Sequence, residues 1–315
     1  MNAPQRRLPQ QEGGWFLTDG GIETTLIFDE GIALPEFAAF VLLDDPAGRE
    51  TLARYYRRYL DIAAAAPGAG FILESPTWRA SSEWGAKVGY DAAALRRVNG
   101  DAIGLMAALR DEYAGRIAGP IVVSGCHGPR GDGYVAGQPM SGDDAMHYHA
   151  PQATALAEAG ADMLTAITMT TSGEAIGVAR AAGVVALPCA ISFTVETDGR
   201  LPSGETLCDA IERTDDETGG APGYYMVNCA HPTHFEAVLG AEDAWTQRIG
   251  GLRANASRKS HAELDAATEL DAGDPQDLGE RYRRLRTPLP RLNVLGGCCG
   301  TDHRHVAAIC AAWRT

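Results

Sequence analysis

Short apolar runs alternate with longer stretches of helical periodicity from one end of the chain to the other. Trp15-Phe16-Leu17-Thr18 reads as a first strand, broken at Asp19-Gly20-Gly21. A helix follows Asp45-Pro46, with Asp45 as N-cap, Pro46 in the first helical position and Leu52, Tyr55, Tyr59 and Ala63 on one face. Phe71-Ile72-Leu73-Glu74 gives a second strand, and Asp91 opens a helix through Leu95, Val98, Ala102, Leu105 and Leu109. Residues 121–125 form a third strand, rich in β-branched side chains and closed by a glycine. After a loop over residues 126–140, Ser141 with Asp144 makes a capping box for a helix that ends at Gly160.

The pattern then repeats. Residues 162–167 are strand four, with Ser172 capping a helix closed by Gly183; residues 190–193 are strand five, with Ser203 capping its helix. Residues 225–228 are strand six, ending at Cys229 and followed by a helix over residues 232–239. Residues 248–254 form a weaker seventh strand, and residues 255–277 a long polar excursion without clear periodicity, of the kind that is usually functional or mobile. Residues 292–295 are strand eight, residues 296–300 a turn, and Thr301 caps a last helix through Val306, Ile309 and Trp313.

Eight strand–helix units with almost continuously apolar strands, and no dividing linker, predict a single-domain (β/α)8 TIM barrel over residues 15–315, behind a polar N-terminal segment over residues 1–14. In such a barrel the residues just after each strand share the face that carries chemistry. Asp19, Glu74, Cys229, Cys298 and Cys299 all fall there.

The stretch Gly296-Gly297-Cys298-Cys299-Gly300-Thr301 makes an unusual demand. On a regular strand adjacent side chains point to opposite faces, but flanking glycines allow a turn sharp enough to aim both sulfurs at one point. Cys229 would complete a set of three thiols, which suits Zn2+ with a fourth tetrahedral position left open. The competing reading is that these are small buried hydrophobes. Packing is the reading for Cys189, Cys208 and Cys310, and for Cys126, although it stands where a strand ends.

The 315 residues and 45% hydrophobic content allow a large core. A net charge of −14 argues against nucleic acid and anionic membrane as partners. The arginines at 281, 283, 284 and 286 read as a solvated helix face. The first 14 residues lack the apolar core of a signal peptide, and no apolar window is long enough to span a bilayer. Seven cysteines in such a chain point to reduced thiols and a cytoplasmic protein.

Taken together, Thr18-Asp19-Gly20-Gly21, Gly125-Cys126-His127-Gly128-Pro129, Val227-Asn228-Cys229 and Gly297-Cys298-Cys299-Gly300 resemble the zinc-dependent homocysteine S-methyltransferase family over nearly the whole chain. The resemblance implies that Cys229, Cys298 and Cys299 bind Zn2+ and that a small-molecule thiol acceptor, homocysteine by default, takes the fourth position. It also implies a methyl donor with a sulfonium or quaternary ammonium leaving group, Asp19 holding the acceptor's ammonium, and Gly20 and Gly21 offering backbone N–H groups to its carboxylate. The family's strand-four glutamate, which shares the grip on the ammonium, is matched here by Ile167. Glu74 or Glu196 is expected to replace it. Trp78, Trp84, Tyr134 and Tyr224 are candidates to hold the donor, and His231 with His234 an alternative pair of ligands. The competing functions are a non-catalytic or altered-specificity thiol- or selenol-binding homologue and, against the low Lewis acidity of a three-thiolate zinc, a zinc hydrolase.

Overall fold

The structure, a computed structural model, describes residues 7–240 and 243–315. Eight parallel strands close into a barrel in sequence order: β1 (Trp15–Leu17), β2 (Ala69–Glu74), β3 (Ile121–His127), β4 (Met163–Met169), β5 (Cys189–Phe193), β6 (Tyr224–Asn228), β7 (Ile249–Ala254) and β8 (Val294–Gly297). Pairing of Phe16 with Val294 and Leu17 with Leu295 joins the last strand to the first. Every residue of β2 and β4–β8 is buried, as expected for parallel strands covered on both faces. Alternate side chains divide between two cores. Phe16, Ile72, Val122, Met163, Met226 and Val294 fill the barrel, while Leu17, Leu73, Val123, Leu164, Val227 and Leu295 pack outward under the helices.

The N-terminal end of the barrel is closed by the chain's own start. Leu8 joins the inner core, Gln10 Nε2 donates to Tyr224 Oη at 3.2 Å, and Asn293 Nδ2 donates to Gln10 O at 2.7 Å. Part of the polar segment that the sequence sets apart is thus a plug. Residues 1–6 of that segment lie outside the described residues. Tyr224, expected near the mouth, sits at this opposite end.

Helix starts follow local hydrogen bonding. Asp45 accepts from Ala47 N and Gly48 N, Asp91 from Ala94 N and Ser141 from Asp144 N, all as predicted. Three caps lie one to three residues from the expected positions because the expected hydroxyls are engaged elsewhere. Ser172 Oγ and Ser203 Oγ donate to Glu205, so Thr171 and Thr206 cap instead. Thr301 Oγ1 donates to Cys298 O at 2.7 Å, and Asp302 starts the last helix, His303–Trp313.

Between β6 and β7 the expected helix over residues 232–239 is replaced by the short 3-10 turns Pro232–His234 and Glu236–Val238. Pro232 opens the first of them, and each turn is only three residues long. The excursion after β7 is partly helical. Ser260 and Glu263 form a capping box on the short helix His261–Asp265, and Asp274 caps Pro275–Leu285. Arg283 and Arg284 pair with Glu280 on the outer face of that helix. Among the described residues no helix is long and apolar enough to cross a membrane.

Candidate functional site

One cavity opens at the C-terminal mouth of the barrel, and Asp19, Gly20, Gly21, Glu74, Cys229, Cys298 and Cys299 all line it. The three sulfurs lie within 4.8 Å of one another, the one group of potential metal ligands found among the described residues. Cys298 and Cys299 stand in the turn after β8. A Cβ on Gly297 would run into Thr301 Oγ1, and Gly300 takes a φ of +77°, so the turn cannot be built with larger residues at these two places.

Cys229 itself adopts a φ of +52°, a left-handed conformation that costs a residue with a Cβ on the order of 1–3 kcal/mol. Three hydrogen bonds hold it there. Its N–H donates to Arg253 O at 3.1 Å, and its carbonyl accepts from Asn255 Nδ2 at 3.0 Å and His261 Nε2 at 2.7 Å. Asn228 braces the neighbouring loop: its Oδ1 accepts from Thr168 N at 2.9 Å and Ser192 Oγ at 2.6 Å, while Nδ2 donates to Cys298 Sγ at 3.8 Å.

Two sulfurs bonded to one zinc at roughly 2.3 Å each stand about 3.8 Å apart in a tetrahedron. Cys229 Sγ and Cys299 Sγ are 3.7 Å apart. Cys229 and Cys298 are paired as a disulfide in this structure, and a metal needs both as thiolates, so disulfide and metal are alternatives for the same two sulfurs. With that bond reduced, three soft donors on a shared point fit zinc. Tyr134 covers them, donating from Oη to Cys299 Sγ at 3.2 Å and stacking on His261 with ring centroids 4.1 Å apart.

Deeper in the cavity, Asp19 (2% exposed) accepts from Arg253 Nη2 at 2.8 Å and from Tyr55 Oη at 3.0 Å. Burial works against the charge on Arg253, but Asp19 and Glu74 outweigh it and hold its pKa above the ordinary value. Glu74 is 5% exposed, and its Oε2 has no hydrogen-bond partner. Burial pushes its carboxyl up to about 7 against the pull of Arg253, and Asp19 adds to the rise. Glu23, also in the lining, is pushed up to about 7 chiefly by burial.

The other candidates divide. Ile167, Trp78, Tyr134 and Cys126 line the cavity. Glu196 does not replace the missing glutamate, because it is turned to His261 Nδ1 at 3.0 Å. His231 and His234 are not part of the sulfur cluster; His231 caps a turn and His234 Nε2 donates to Arg258 O. Trp84 packs under Arg79. Gly21 N–H donates to Thr301 O at 3.0 Å and is therefore spent, contrary to its expected role toward a carboxylate. The residue to which the sequence pattern assigns no role is Arg253, although Arg253-Ala254-Asn255 hints at an anion site; its signal is a lone cation near the C-terminal end of an apolar strand.

A (β/α)8 barrel with three convergent cysteine sulfurs at its C-terminal mouth defines an enzyme scaffold with a thiol-rich centre. Residues 16–313 match the family model described as homocysteine S-methyltransferase, and the chain belongs to that family of methyltransferases. The homocysteine S-methyltransferase of Escherichia coli (strain K12) is 26% identical, with 98% of each chain covered. Two crystal structures of the E. coli homocysteine methyltransferase MmuM share the fold. The oxidized form superposes with a TM-score of 0.77 at 21% identity, over 98% of this chain and 100% of that one. The metallated form gives 0.72 at 22%, over 96% and 97%.

Proposed function

We propose that the protein is a zinc-dependent S-methyltransferase that moves a methyl group from a sulfonium or quaternary ammonium donor to a thiol, with homocysteine as the acceptor and methionine as the product. The observation that carries this reading is the meeting of Cys229, Cys298 and Cys299 from the turns that follow two different strands, β6 and β8. These three residues would hold zinc and leave its fourth position to the acceptor sulfur. Zinc bound there would supply Lewis acidity that keeps the acceptor as its thiolate at neutral pH, well below the ordinary thiol pKa of roughly 8.5. A cytoplasmic location suits a site that needs its own thiols reduced.

The remaining work falls to the chain. Glu74 Oε2, unpartnered, and Asp19, each of whose oxygens retains a lone pair, receive the acceptor's ammonium. Glu74 thereby supplies the carboxylate that Ile167 lacks. The lining carries Asp19, Glu23, Glu74, Asp132 and Asp265 against Arg79 and Arg253, an acidic excess that favours a cationic donor. Trp78 and Tyr134 offer it aromatic faces worth about 0.5–2 kcal/mol. The acceptor sulfur attacks the methyl carbon in line, and the bond to the donor heteroatom breaks with its electron pair staying on that atom. No proton need leave the carbon, so the protein's contribution is position and exclusion of water.

The test is a matrix of thiol acceptors against methyl donors on reduced, zinc-loaded protein. Methionine formed from homocysteine and a sulfonium donor, abolished by chelation and restored by zinc, is the expected result. Zinc-loaded protein that methylates no thiol from any donor would end this reading.

A further inference from the structure

A guanidinium buried at the end of a barrel strand persists only with partners for its charge and its donors. Arg253, 7% exposed near the end of β7, has most of them. Nε donates to Gly297 O at 3.1 Å, and Nη2 donates to Asp19 Oδ1 at 2.8 Å and Gly20 O at 3.3 Å. Nη1 makes no hydrogen bond among the described residues, is not a sealed orphan, and belongs to a side chain that lines the cavity. One arm of the fork is therefore clamped and the other is open. An open guanidinium arm with a fixed orientation is a carboxylate-binding group.

Its position ties it to the sulfurs. The carbonyl of Arg253 accepts from Cys229 N, and its Nε is bonded to the carbonyl of Gly297, the residue before Cys298. A small molecule whose sulfur meets the three cysteines thus finds Arg253 between the two segments that carry them. Some of the other donors nearby are committed, although Gly20 N–H makes no hydrogen bond among the described residues and Arg79 Nε is buried without a partner. Gly21 N–H is spent on Thr301 O, and Arg79 is sandwiched between the rings of Trp78 and Trp84, with Nη1 on Gly131 O.

We infer that Arg253, through Nη1, reads the carboxylate of the acceptor, so that this site selects thiols carrying a carboxylate a few bonds from sulfur. The inference rests on the thiol-acceptor reading above and adds to it the group by which the acceptor is chosen. The salt bridge to Asp19 makes Arg253 a positioned reader, because it fixes the plane of the fork. A lysine would offer one ammonium for two tasks.

Binding to reduced, zinc-loaded full-length protein, followed by calorimetry without a methyl donor, tests this. Three probes are compared: homocysteine, 4-mercaptobutyrate (carboxylate, no amine) and 3-aminopropane-1-thiol (amine, no carboxylate). The wild type should bind homocysteine at least about tenfold more tightly than 3-aminopropane-1-thiol, which differs from it only in lacking the carboxylate, as expected of a charge-assisted hydrogen bond. R253M should weaken the two carboxylate thiols by roughly 10–100-fold and leave the amine thiol within about threefold, with R253K between. Equal weakening of all three probes in R253M would reduce Arg253 to a structural role and overturn the inference. Should R253M not fold, the wild-type series decides alone, since indifference to the carboxylate overturns it as well. Wild-type protein that binds no thiol brings down the acceptor reading too, whereas thiol binding without carboxylate preference removes only the role of Arg253.

Discussion

Arg253 Nη2 and Asp19 Oδ1 lie 2.8 Å apart inside the mouth of the barrel, linking the end of β7 to the turn after β1 across 234 positions of sequence. Both side chains are buried, so each is the other's main compensation. Asp19→Ala should therefore destabilise the protein by about 3–5 kcal/mol, the cost of leaving a buried cation unpaired. Urea unfolding of D19A, R253M and the double variant measures it. The double variant should cost clearly less than the sum of the singles; simple additivity would mean the two charges do not depend on each other.

Metal uptake should follow the state of the cysteines. Protein oxidised at Cys229–Cys298 should take up no zinc, and reduction should allow about one ion per chain, read by elemental analysis after gel filtration. Replacing Cys229, Cys298 or Cys299 by serine should weaken zinc by more than the roughly 10–100-fold lost when only an outer-shell partner is removed. Cys126→Ala, in the same cavity but outside the cluster, should bind zinc like the wild type.

Glu74 makes stability depend on pH. Its folded pKa of about 7 lies above the ordinary 4.5, so between these values the native state keeps a proton that the unfolded chain has released. Stability from this group is present below about pH 4.5 and declines as pH rises through 7, by up to about 3 kcal/mol. The shift is set by burial first, then by Arg253, which opposes it, and by Asp19, which adds to it. Glu74→Gln should be close to wild type at pH 5 and more stable at pH 8 in urea titrations at the two pH values. A larger gap at pH 5 than at pH 8 would contradict the assignment.

Tyr134→Phe removes a single hydroxyl from Cys299 Sγ and keeps the ring on His261. Zinc affinity, measured by chelator competition, should fall by about tenfold with unfolding free energy changed by less than about 1 kcal/mol. Unchanged affinity would show that the hydroxyl only closes the cavity.

Much of this molecule was open to reading along the chain because its signals are local. Strand periodicity, the caps at Asp45, Asp91 and Ser141, and the glycines around Cys298-Cys299 each depend on residues a few positions apart. Asp19, Glu74 and the three cysteines could be placed together because each ends or follows a barrel strand, and the barrel's topology does the rest. Predictions failed where a hydroxyl or a charge had a rival partner, whether three residues away or 65. Thr301 serves Cys298 O instead of its helix, and Glu196 serves His261 instead of the cavity.

The amino-acid sequence alone determined the barrel, its mouth and the cysteines at that mouth, since these follow from alternation of apolar and polar positions and from turns that only glycine allows. Tertiary structure decided which neighbours claim each polar group. It spent Gly21 N–H on Thr301, clamped one arm of Arg253 on Asp19 and left Glu74 Oε2 free. The reason is physical: a buried donor or acceptor must be satisfied by whatever the fold brings within about 3 Å, and those partners come from strands far apart in the chain.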